Sequence, residues 1–364
     1  MLRVGLVGTS WWADAMYLPA LADHPRGAIT AICGRDPERT LDAADRWGIE
    51  HAFTDWTELL DSGLIDAVIV ASPNNTHHDI TMAAIERGLA VLCEKPVALT
   101  AAEAEAMAEA AAARGLVTMV PFTYRWMPTH QWIKELIDDG YVGRPYHVTL
   151  RYFAGFARDP AYSWRFDVEH SGGGLLGDLG SHCLHLARWW LGEVSAIGAL
   201  STTFVDRDPR PDGTPYVQGD DASTITVRFD SGAVGTLQVS AMCWEGTPFG
   251  QTQDVEIHGS NGTLYAVNDW DSVQEVRGVR AGELGLRVLP VPEHLWQGAR
   301  RSPVPDTYRD IFRRSDAMAR TWVDAVVDGR PCQPDLAEGA RVQRLLETAA
   351  ESARSDSRLL PVVP

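Results

Sequence analysis

The sequence has few cysteines, no C-x-x-C pair and no long apolar run. Its five cysteines among 364 residues are odd in number and widely scattered, which argues against a disulfide framework or a zinc knuckle and favours reduced thiols. No apolar stretch reaches the roughly 20 residues that a membrane-spanning helix needs. The chain also begins without the charged and apolar regions of a secretory signal. We therefore expect a cytoplasmic protein.

Basic residues are scarce as well. Lysine and arginine together number 32 against 49 aspartates and glutamates, which gives a formal net charge of −17. Nucleic acids and anionic membranes both select proteins with a basic face. We therefore expect neither as a partner. The length predicts two domains with ample core.

The first 120 residues alternate short apolar runs with segments of helix length, which is typical of a parallel sheet with crossover helices. Thr100 and Glu103 form a capping box before an alanine-rich helix. This pattern predicts a doubly wound Rossmann domain over residues 1–123. The predicted strands are 3–7, 28–33, 67–71, 90–93 and 116–120.

After Pro121 the pattern changes to a helical pair followed by successive strands with hairpin turns. It predicts an α+β domain over residues 124–364 with a large, mostly antiparallel open sheet. A sheet with one uncovered face would expose an apolar patch, so we expect a homodimer or homotetramer. The predicted helices are 129–139, 181–191, 306–328 and 335–354, and the predicted strands include 146–156, 223–229, 233–239, 255–258 and 262–267.

The turn after the first strand resembles a dinucleotide fingerprint. Gly8 is followed by Ser10 and Ala13 in place of the second and third glycines, with Trp11 and Trp12 between them. The third position tolerates alanine, and serine at the second still lets backbone N–H groups approach a pyrophosphate. The alternative is an ordinary tight turn between strand and helix.

The end of the second strand carries the evidence on cofactor choice. An acidic residue at the strand tip would hold the ribose hydroxyls of NAD, but here the tip is Gly34, followed by Arg35. A small residue leaves room for a 2′-phosphate that a guanidinium can grip. These residues favour NADP(H). Because Asp36 follows directly, NAD(H) stays possible.

A polar loop follows the predicted strand 67–71 at the edge where open α/β sheets bind ligands. Its members Ser72, Pro73, Asn74 and His77 are candidates for packing along the cofactor. Thr76 is expected to cap the following helix.

Two separated motifs indicate chemistry. Glu94-Lys95-Pro96 follows a buried strand, so the lysine stands at the strand's carboxyl end. The glycines from Gly172 to Gly174 open a helix that places Asp178 and His182 four residues apart on one face. An ammonium, a carboxylate and an imidazole near a nucleotide can move a proton while a hydride moves separately.

With these motifs the whole chain resembles the glucose–fructose oxidoreductase, inositol dehydrogenase and rhizopine-catabolism (Gfo/Idh/MocA) family. The resemblance implies nicotinamide-dependent chemistry at a ring carbon of a sugar or cyclitol. It identifies Lys95, Asp178 and His182 with the family's catalytic residues. The family usually has an aspartate three residues after the histidine, where this chain has His185, so the pocket should differ from that of inositol-like members.

Within that resemblance His182 is the candidate acid–base group, Asp178 would orient it, and Lys95 would polarise the reacting oxygen. The other candidates for contact with cofactor or substrate are Glu94, Trp164, Arg165, Arg125 and His185. A metal site of two histidines and a carboxylate is the alternative at the helix, but hydride transfer needs no metal and we expect none.

The leading hypothesis is an NADP(H)-dependent sugar or cyclitol dehydrogenase or reductase. One alternative is tightly bound NAD(H) used transiently in glycoside cleavage or epimerisation. Another is a nucleotide-sensing regulator without catalysis, although a sensor has no need of all three catalytic candidates.

Overall fold

The computed structural model describes residues 1–244 and 251–363. The chain groups into two compact units, the first made of Met1–Phe122 with Arg309–Gln343 and the second of Thr123–Tyr308 with Arg344–Pro364. The segment Arg309–Gln343 therefore groups with the first unit, although the sequence assigned it to the second domain. The predicted division between residues 123 and 124 stays a prediction as a domain boundary.

Helices occur in both units, and none in the described part of the chain is long and apolar enough to cross a membrane. They are α1 Leu18–Leu21, α2 Pro37–Trp47, α3 Trp56–Asp61, α4 His77–Glu86, α5 Ala101–Ala113, α6 Pro128–Asp138, α7 Val168–Ser171, α8 Ser181–Leu191, α9 Glu293–Trp296, α10 Val304–Arg314, α11 Met318–Asp328 and α12 Leu336–Arg354.

The strands form two sheets. They are β1 Leu2–Val7, β2 Gly27–Cys33, β3 His51–Phe53, β4 Ala67–Val70, β5 Ala90–Cys93, β6 Thr118–Met119, β7 Pro145–Ala154, β8 Val194–Thr202, β9 Ala222–Phe229, β10 Val234–Ser240, β11 Gln251–Gly259, β12 Gly262–Asp269, β13 Gln274–Arg280, β14 Arg287–Val288 and β15 Leu360–Pro361.

The first unit contains a six-stranded parallel sheet in the order β3-β2-β1-β4-β5-β6. Strands β4 and β5 are buried along their whole length, as strands covered by helices on both faces must be. The predicted Rossmann sheet is confirmed. The sequence missed β3 because its three residues show no apolar run.

Local signals explain where the helices of this unit begin. Asp36 caps α2, with Pro37 at the first helical position, and Gly48 ends the helix at φ 65°. Thr100 and Glu103 form the predicted capping box. Thr76 is different, since its hydroxyl donates to the carbonyl of Pro73 instead of capping α4.

The second unit contains a nine-stranded sheet in the order β14-β13-β12-β11-β7-β10-β9-β8-β15. The β7–β10 pair is parallel, and the other pairs are antiparallel. This confirms the predicted mostly antiparallel sheet. Inward residues of β9 such as Ile225 and Val227 are buried, while Thr224, Thr226 and Arg228 between them are exposed.

Two expectations about the second domain need correction. The predicted helix 306–328 is two helices, α10 and α11, because the chain turns at Ser315, where the amide of Ala317 bonds back to the Ser315 carbonyl. The outward face of the sheet is not a large apolar patch. It carries threonines and charges, and its exposed apolar members, such as Val234 and Tyr265, are scattered.

Candidate functional site

The candidate residues fall in both units, and each group lies as follows within its own unit. In the first unit, the turn after β1 passes directly against the end of β4. Gly8 has φ 126°, and a Cβ there would lie 2.3 Å from the carbonyl oxygen of Ala71. Only glycine allows this approach. The Ser10 hydroxyl accepts a hydrogen bond from the amide of Ala13 at 3.3 Å, so the turn has the close backbone that a pyrophosphate cradle needs.

A buried carboxylate ties this turn to the end of β5. Glu94 Oε1 accepts from the indole N–H of Trp12 at 2.6 Å and from the hydroxyl of Tyr17 at 2.5 Å, and its Oε2 accepts from the amide of Lys95 at 3.1 Å. Burial raises the pKa of Glu94 above its ordinary value. Glu94 and Trp12, predicted to touch the cofactor, therefore hold the turn in shape.

Trp11 is the outward neighbour of this pair. Its ring meets that of Trp12 edge-on at 5.5 Å and is 57% exposed. An exposed aromatic side chain beside the dinucleotide turn is available to a bound molecule, whereas Trp12 is committed to Glu94.

His77 links the polar loop after β4 to the loop after β5. The imidazole is fully buried, with Nδ1 2.8 Å from the carbonyl oxygen of Pro96 and Nε2 2.9 Å from that of Ser72. Burial lowers the pKa of His77. Because backbone carbonyls engage both ring nitrogens, His77 fixes the two loops relative to one another instead of presenting its ring to a ligand.

The rest of the polar loop is internally bonded. The hydroxyls of Ser72 and Thr76 lie 2.6 Å apart, and Asn74 is 8% exposed. Pro73 precedes the short 3₁₀ turn Asn74–Thr76. The loop is thus held by its own hydrogen bonds, and its half-exposed members Ser72 and Pro73 are the ones that can face a ligand.

The tip of β2 is tightly packed around Gly34. A Cβ on Gly34 would lie 2.5 Å from Thr40 Oγ1 and 2.7 Å from Thr9 Cγ2. The carboxylate of Asp36 accepts from the amide of Arg39 at 3.1 Å as the cap of α2. Arg35 and Arg39 are both exposed. The strand tip therefore offers two guanidinium groups and an aspartate already engaged by the helix.

Lys95 follows β5 and is half-buried. It is one of only two lysines in the chain, the other being Lys134, whose ammonium pairs with Asp138 one helical turn away. The position of Lys95 at the carboxyl end of a parallel strand agrees with its predicted location.

In the second unit, a π-helical turn, Leu176–Gly180, leads directly into α8. Asp178 lies in that turn, with its Oδ2 3.7 Å from Nε of Arg165. The Arg165 guanidinium also lies 4.9 Å from the ring centroid of Trp164. The predicted pair Trp164 and Arg165 is thereby brought together with Asp178, and both partners of the ion pair are partly exposed.

His182 lies one turn further on, against a tyrosine pair that the sequence did not reveal. Its ring centroid is 4.8 Å from that of Tyr124 and 6.4 Å from that of Tyr152. The two tyrosine hydroxyls are 2.5 Å apart and share a hydrogen bond, and they lie 2.8 and 2.7 Å from the acceptor Oε1 of Gln251. Burial raises the pKa of both tyrosines well above 10. Tyr124 directly precedes the candidate Arg125, but nothing in the sequence pairs it with Tyr152, which lies in β7, 28 residues later.

The tyrosine pair is held from behind by His130. Its Nδ1 lies 2.8 Å from the carbonyl oxygen of Tyr124, and its Nε2 lies 3.1 Å from Nδ2 of Asn268. Burial lowers the pKa of His130 to about 4. It is therefore neutral at physiological pH, and Nδ1 is the nitrogen that donates, to Tyr124.

The remaining candidates, His185 and Arg125, differ in how far their side chains are exposed. His185 has no exposed surface, whereas His182 is 5% exposed. Arg125 is half-buried, with its guanidinium 4.6 Å above the ring of Trp189. Among residues 1–244 and 251–363, no three histidine, cysteine or acidic side chains are grouped so as to hold a metal ion.

Two family profiles match consecutive parts of the chain. One, described as an oxidoreductase family with an NAD-binding Rossmann fold, matches residues 2–122. The other, the GFO/IDH/MocA C-terminal domain, matches residues 130–265. A solved structure of an oxidoreductase domain protein from Kribbella flavida is 30% identical, with a TM-score of 0.86 over 100% of this chain and 99% of that chain.

The chain belongs to the Gfo/Idh/MocA oxidoreductase family. A levoglucosan dehydrogenase from Pseudarthrobacter phenanthrenivorans is 29% identical, over 98% of this chain and 97% of the relative. A structure of levoglucosan dehydrogenase in complex with NADH and levoglucosan has a TM-score of 0.86 at 28% identity, covering 100% of this chain and 99% of that chain. The resemblance seen in the sequence is confirmed, and the Gfo/Idh/MocA membership brings an NAD-binding type of domain with it.

Proposed function

We propose that this Gfo/Idh/MocA protein is an NADP(H)-dependent dehydrogenase or reductase acting at a ring carbon of a sugar, sugar derivative or cyclitol. The observation that carries the proposal is the helix of the second unit on which Asp178 and His182 lie one turn apart, with Arg165 beside the carboxylate. Membership of the family and the retained Lys95 support the same chemistry. The similar levoglucosan dehydrogenase supports a carbohydrate substrate.

The preference for NADP rests on the tip of β2. Gly34 excludes the acidic side chain that would bind ribose hydroxyls, and Asp36 is engaged as a helix cap. The exposed guanidiniums of Arg35 and Arg39 are suited to a 2′-phosphate. The similar levoglucosan dehydrogenase binds NADH. The choice between NAD and NADP depends on the few residues at the tip of β2, so this chain can differ from that relative in its cofactor.

The proposed roles divide the proton chemistry among three residues. His182 takes and returns the proton of the reacting hydroxyl, because the pKa of an imidazole lies near working pH. Asp178 orients that imidazole or binds a neighbouring hydroxyl, and Lys95 polarises the reacting oxygen. The nicotinamide, when bound, supplies or accepts the hydride.

The accessory roles follow from exposure and contacts. We assign contact with cofactor or substrate to Trp11, Ser72, Pro73 and Arg165. Arg125, which stacks on Trp189, is a weaker candidate. His185 acts on the pocket through its neighbours, because it is fully buried. We expect the protein to work in the cytoplasm as a homodimer or homotetramer. Because the outward face of the nine-stranded sheet is not an apolar patch, this expectation rests on the family resemblance, which implies an open sheet that often builds the oligomer interface.

The test is a screen of sugars, anhydrosugars and cyclitols with NADP and NAD, read by cofactor absorbance. Turnover with NADP and a cyclic polyol supports the proposal. Conversion of substrate with cofactor retained and no net absorbance change identifies the transient-NAD alternative. Cofactor binding without conversion of any substrate identifies a sensor.

A further inference from the structure

The helix that carries the proposed catalytic pair lacks a cap of its own. The first amides of any helix have no partner within the helix and need one from elsewhere. Leu175, at the N-cap position of the turn Leu176–Gly180, has no side chain that could accept such a bond. The partner comes from a remote segment instead, because Asp220 Oδ2 accepts from the amide of Leu176 at 3.0 Å.

Asp220 makes two further contacts that fix this arrangement. Its backbone carbonyl accepts from the amide of Leu175 at 2.9 Å, and the hydroxyl of Ser223 donates to the same Oδ2 at 2.8 Å. The aspartate thus bonds two consecutive amides at the start of the turn that bears Asp178. A carboxylate at this end of a helix is also favoured by the helix dipole.

The glycines on the two sides explain how the segments come so close. A Cβ on Gly174 would lie 2.1 Å from the carbonyl oxygen of Asp220, and one on Gly219 would lie 2.6 Å from the amide nitrogen of Gly174. Gly173, by contrast, has its nearest neighbour at 3.8 Å. Backbone contact therefore requires glycine at Gly174 and Gly219 but not at Gly173, and the contact that Gly174 permits is with Asp220.

The residue after Asp220 anchors the same backbone. The carboxylate of Asp221 and the guanidinium of Arg207 form a fully buried ion pair at 2.7 Å. Asp221 Oδ2 also accepts from the amides of Phe204 and Val205. Asp220 therefore projects from a backbone segment that is itself held in place.

We propose that Asp220 is a positioning residue that fixes the first turn of the helix on which Asp178 and His182 lie. It lies two residues before β9 and supplies the cap that the helix itself lacks. The proposal rests on the proposed function for its catalytic consequence. Asp220 touches neither cofactor nor substrate in this role and acts through Asp178 and His182.

The experiment compares Asp220→Ala, Asp220→Asn, Gly174→Ala and the matched control Gly173→Ala. Asp220→Ala and Gly174→Ala should lower kcat by about 10- to 100-fold, since small displacements of reacting groups cost that much. NADPH affinity, measured by fluorescence titration, should not change. Asp220→Asn should recover most of the activity because its amide oxygen can accept from Leu176. Gly173→Ala should match the wild type.

Hydrogen exchange gives a readout that needs no substrate. The amides of Leu175 and Leu176 should exchange faster in Asp220→Ala and Gly174→Ala than in Gly173→Ala. If the wild type converts no sugar or cyclitol, the proposed function fails while this exchange pattern still decides the anchoring. An active wild type whose kcat and exchange are unchanged by Asp220→Ala overturns the inference. If Asp220→Ala does not fold, a wild-type kcat together with wild-type exchange of Leu175 and Leu176 in Gly174→Ala overturns it.

Discussion

The indole nitrogen of Trp12 lies 2.6 Å from the same Glu94 oxygen that accepts the Tyr17 hydroxyl. The buried carboxylate of Glu94 thus connects Trp12 and Tyr17, which follow β1, with the backbone amide of Lys95. Trp12, Tyr17 and Lys95 all bond to this carboxylate. A change in the carboxylate should therefore alter both the stability of the first unit and the position of Lys95.

Glu94→Gln should reduce the free energy of unfolding by about 1–3 kcal/mol. Trp12 and Tyr17 need an acceptor on one oxygen, and the Lys95 amide needs one on the other, but a glutamine side chain replaces one acceptor by a donor. Urea denaturation measures the change. The control is Glu109→Gln on the exposed face of α5, and equal stability of the two variants would contradict this role of Glu94.

Arg35→Ala and Arg39→Ala should each weaken NADP binding by about 10- to 100-fold and leave NAD binding unchanged, because charge-assisted bonds to a phosphate are lost. Titration of cofactor fluorescence measures both affinities. Arg114→Ala removes an equally exposed charge at the end of α5 and should have no effect. Tighter binding of NAD than of NADP by the wild type would refute the assignment.

The same strand tip predicts that NAD preference cannot be installed by Gly34→Asp alone. The new Cβ would meet Thr40 and Thr9 at 2.5 and 2.7 Å, and overpacking of this kind costs about 1–3 kcal/mol. Gly34→Asp should therefore be less stable than the wild type in thermal unfolding. Gly34→Asp combined with Thr40→Ala should recover part of the loss and reveal any gain in NAD affinity.

His182→Ala should lower kcat by about 10²–10⁴-fold with little change in cofactor affinity, which is the usual loss for a positioned acid–base group. Asp178→Asn should cost less, because it keeps the shape of the side chain. Steady-state kinetics with the substrate found by screening measures both. Near-normal turnover in His182→Ala would transfer the acid–base role to Lys95.

Asp220 should give the protein a measurable dependence of stability on pH. Burial raises its pKa from 3.8 to about 6, so the folded state holds this proton more tightly than the unfolded state. The stabilisation is complete below pH 4 and is lost as pH rises towards 6, amounting to roughly 3 kcal/mol. The unfolding free energy of the wild type minus that of Asp220→Asn should fall as pH rises from 4 to 6. A difference that does not change with pH would contradict the raised pKa of Asp220.

The alternation of strands and helices was enough to predict both sheets, because strand burial and helix caps are local properties. The capping box of Thr100 and Glu103 and the helix 181–191 were predicted correctly for this reason. The contacts that build the site are not local. They depend on the packing of segments that no periodicity in the sequence connects. Examples are the tyrosine pair beside His182, the bond from the Leu176 amide to Asp220 across 44 residues and the contacts of His77 with two backbone carbonyls.

The nine-stranded sheet ends on both sides in strands of two residues, β14 and β15. Leu360 pairs with Ile197 and Pro361 with Ala196, so β15 covers these two positions on the edge of the longer strand β8, and Pro361 has no N–H to offer a further strand. Truncation before Leu360 would expose that edge as a template for aggregation. Affinity tags therefore belong at Met1, which is 86% exposed, and the carboxyl-terminal segment should be kept intact in any recombinant form.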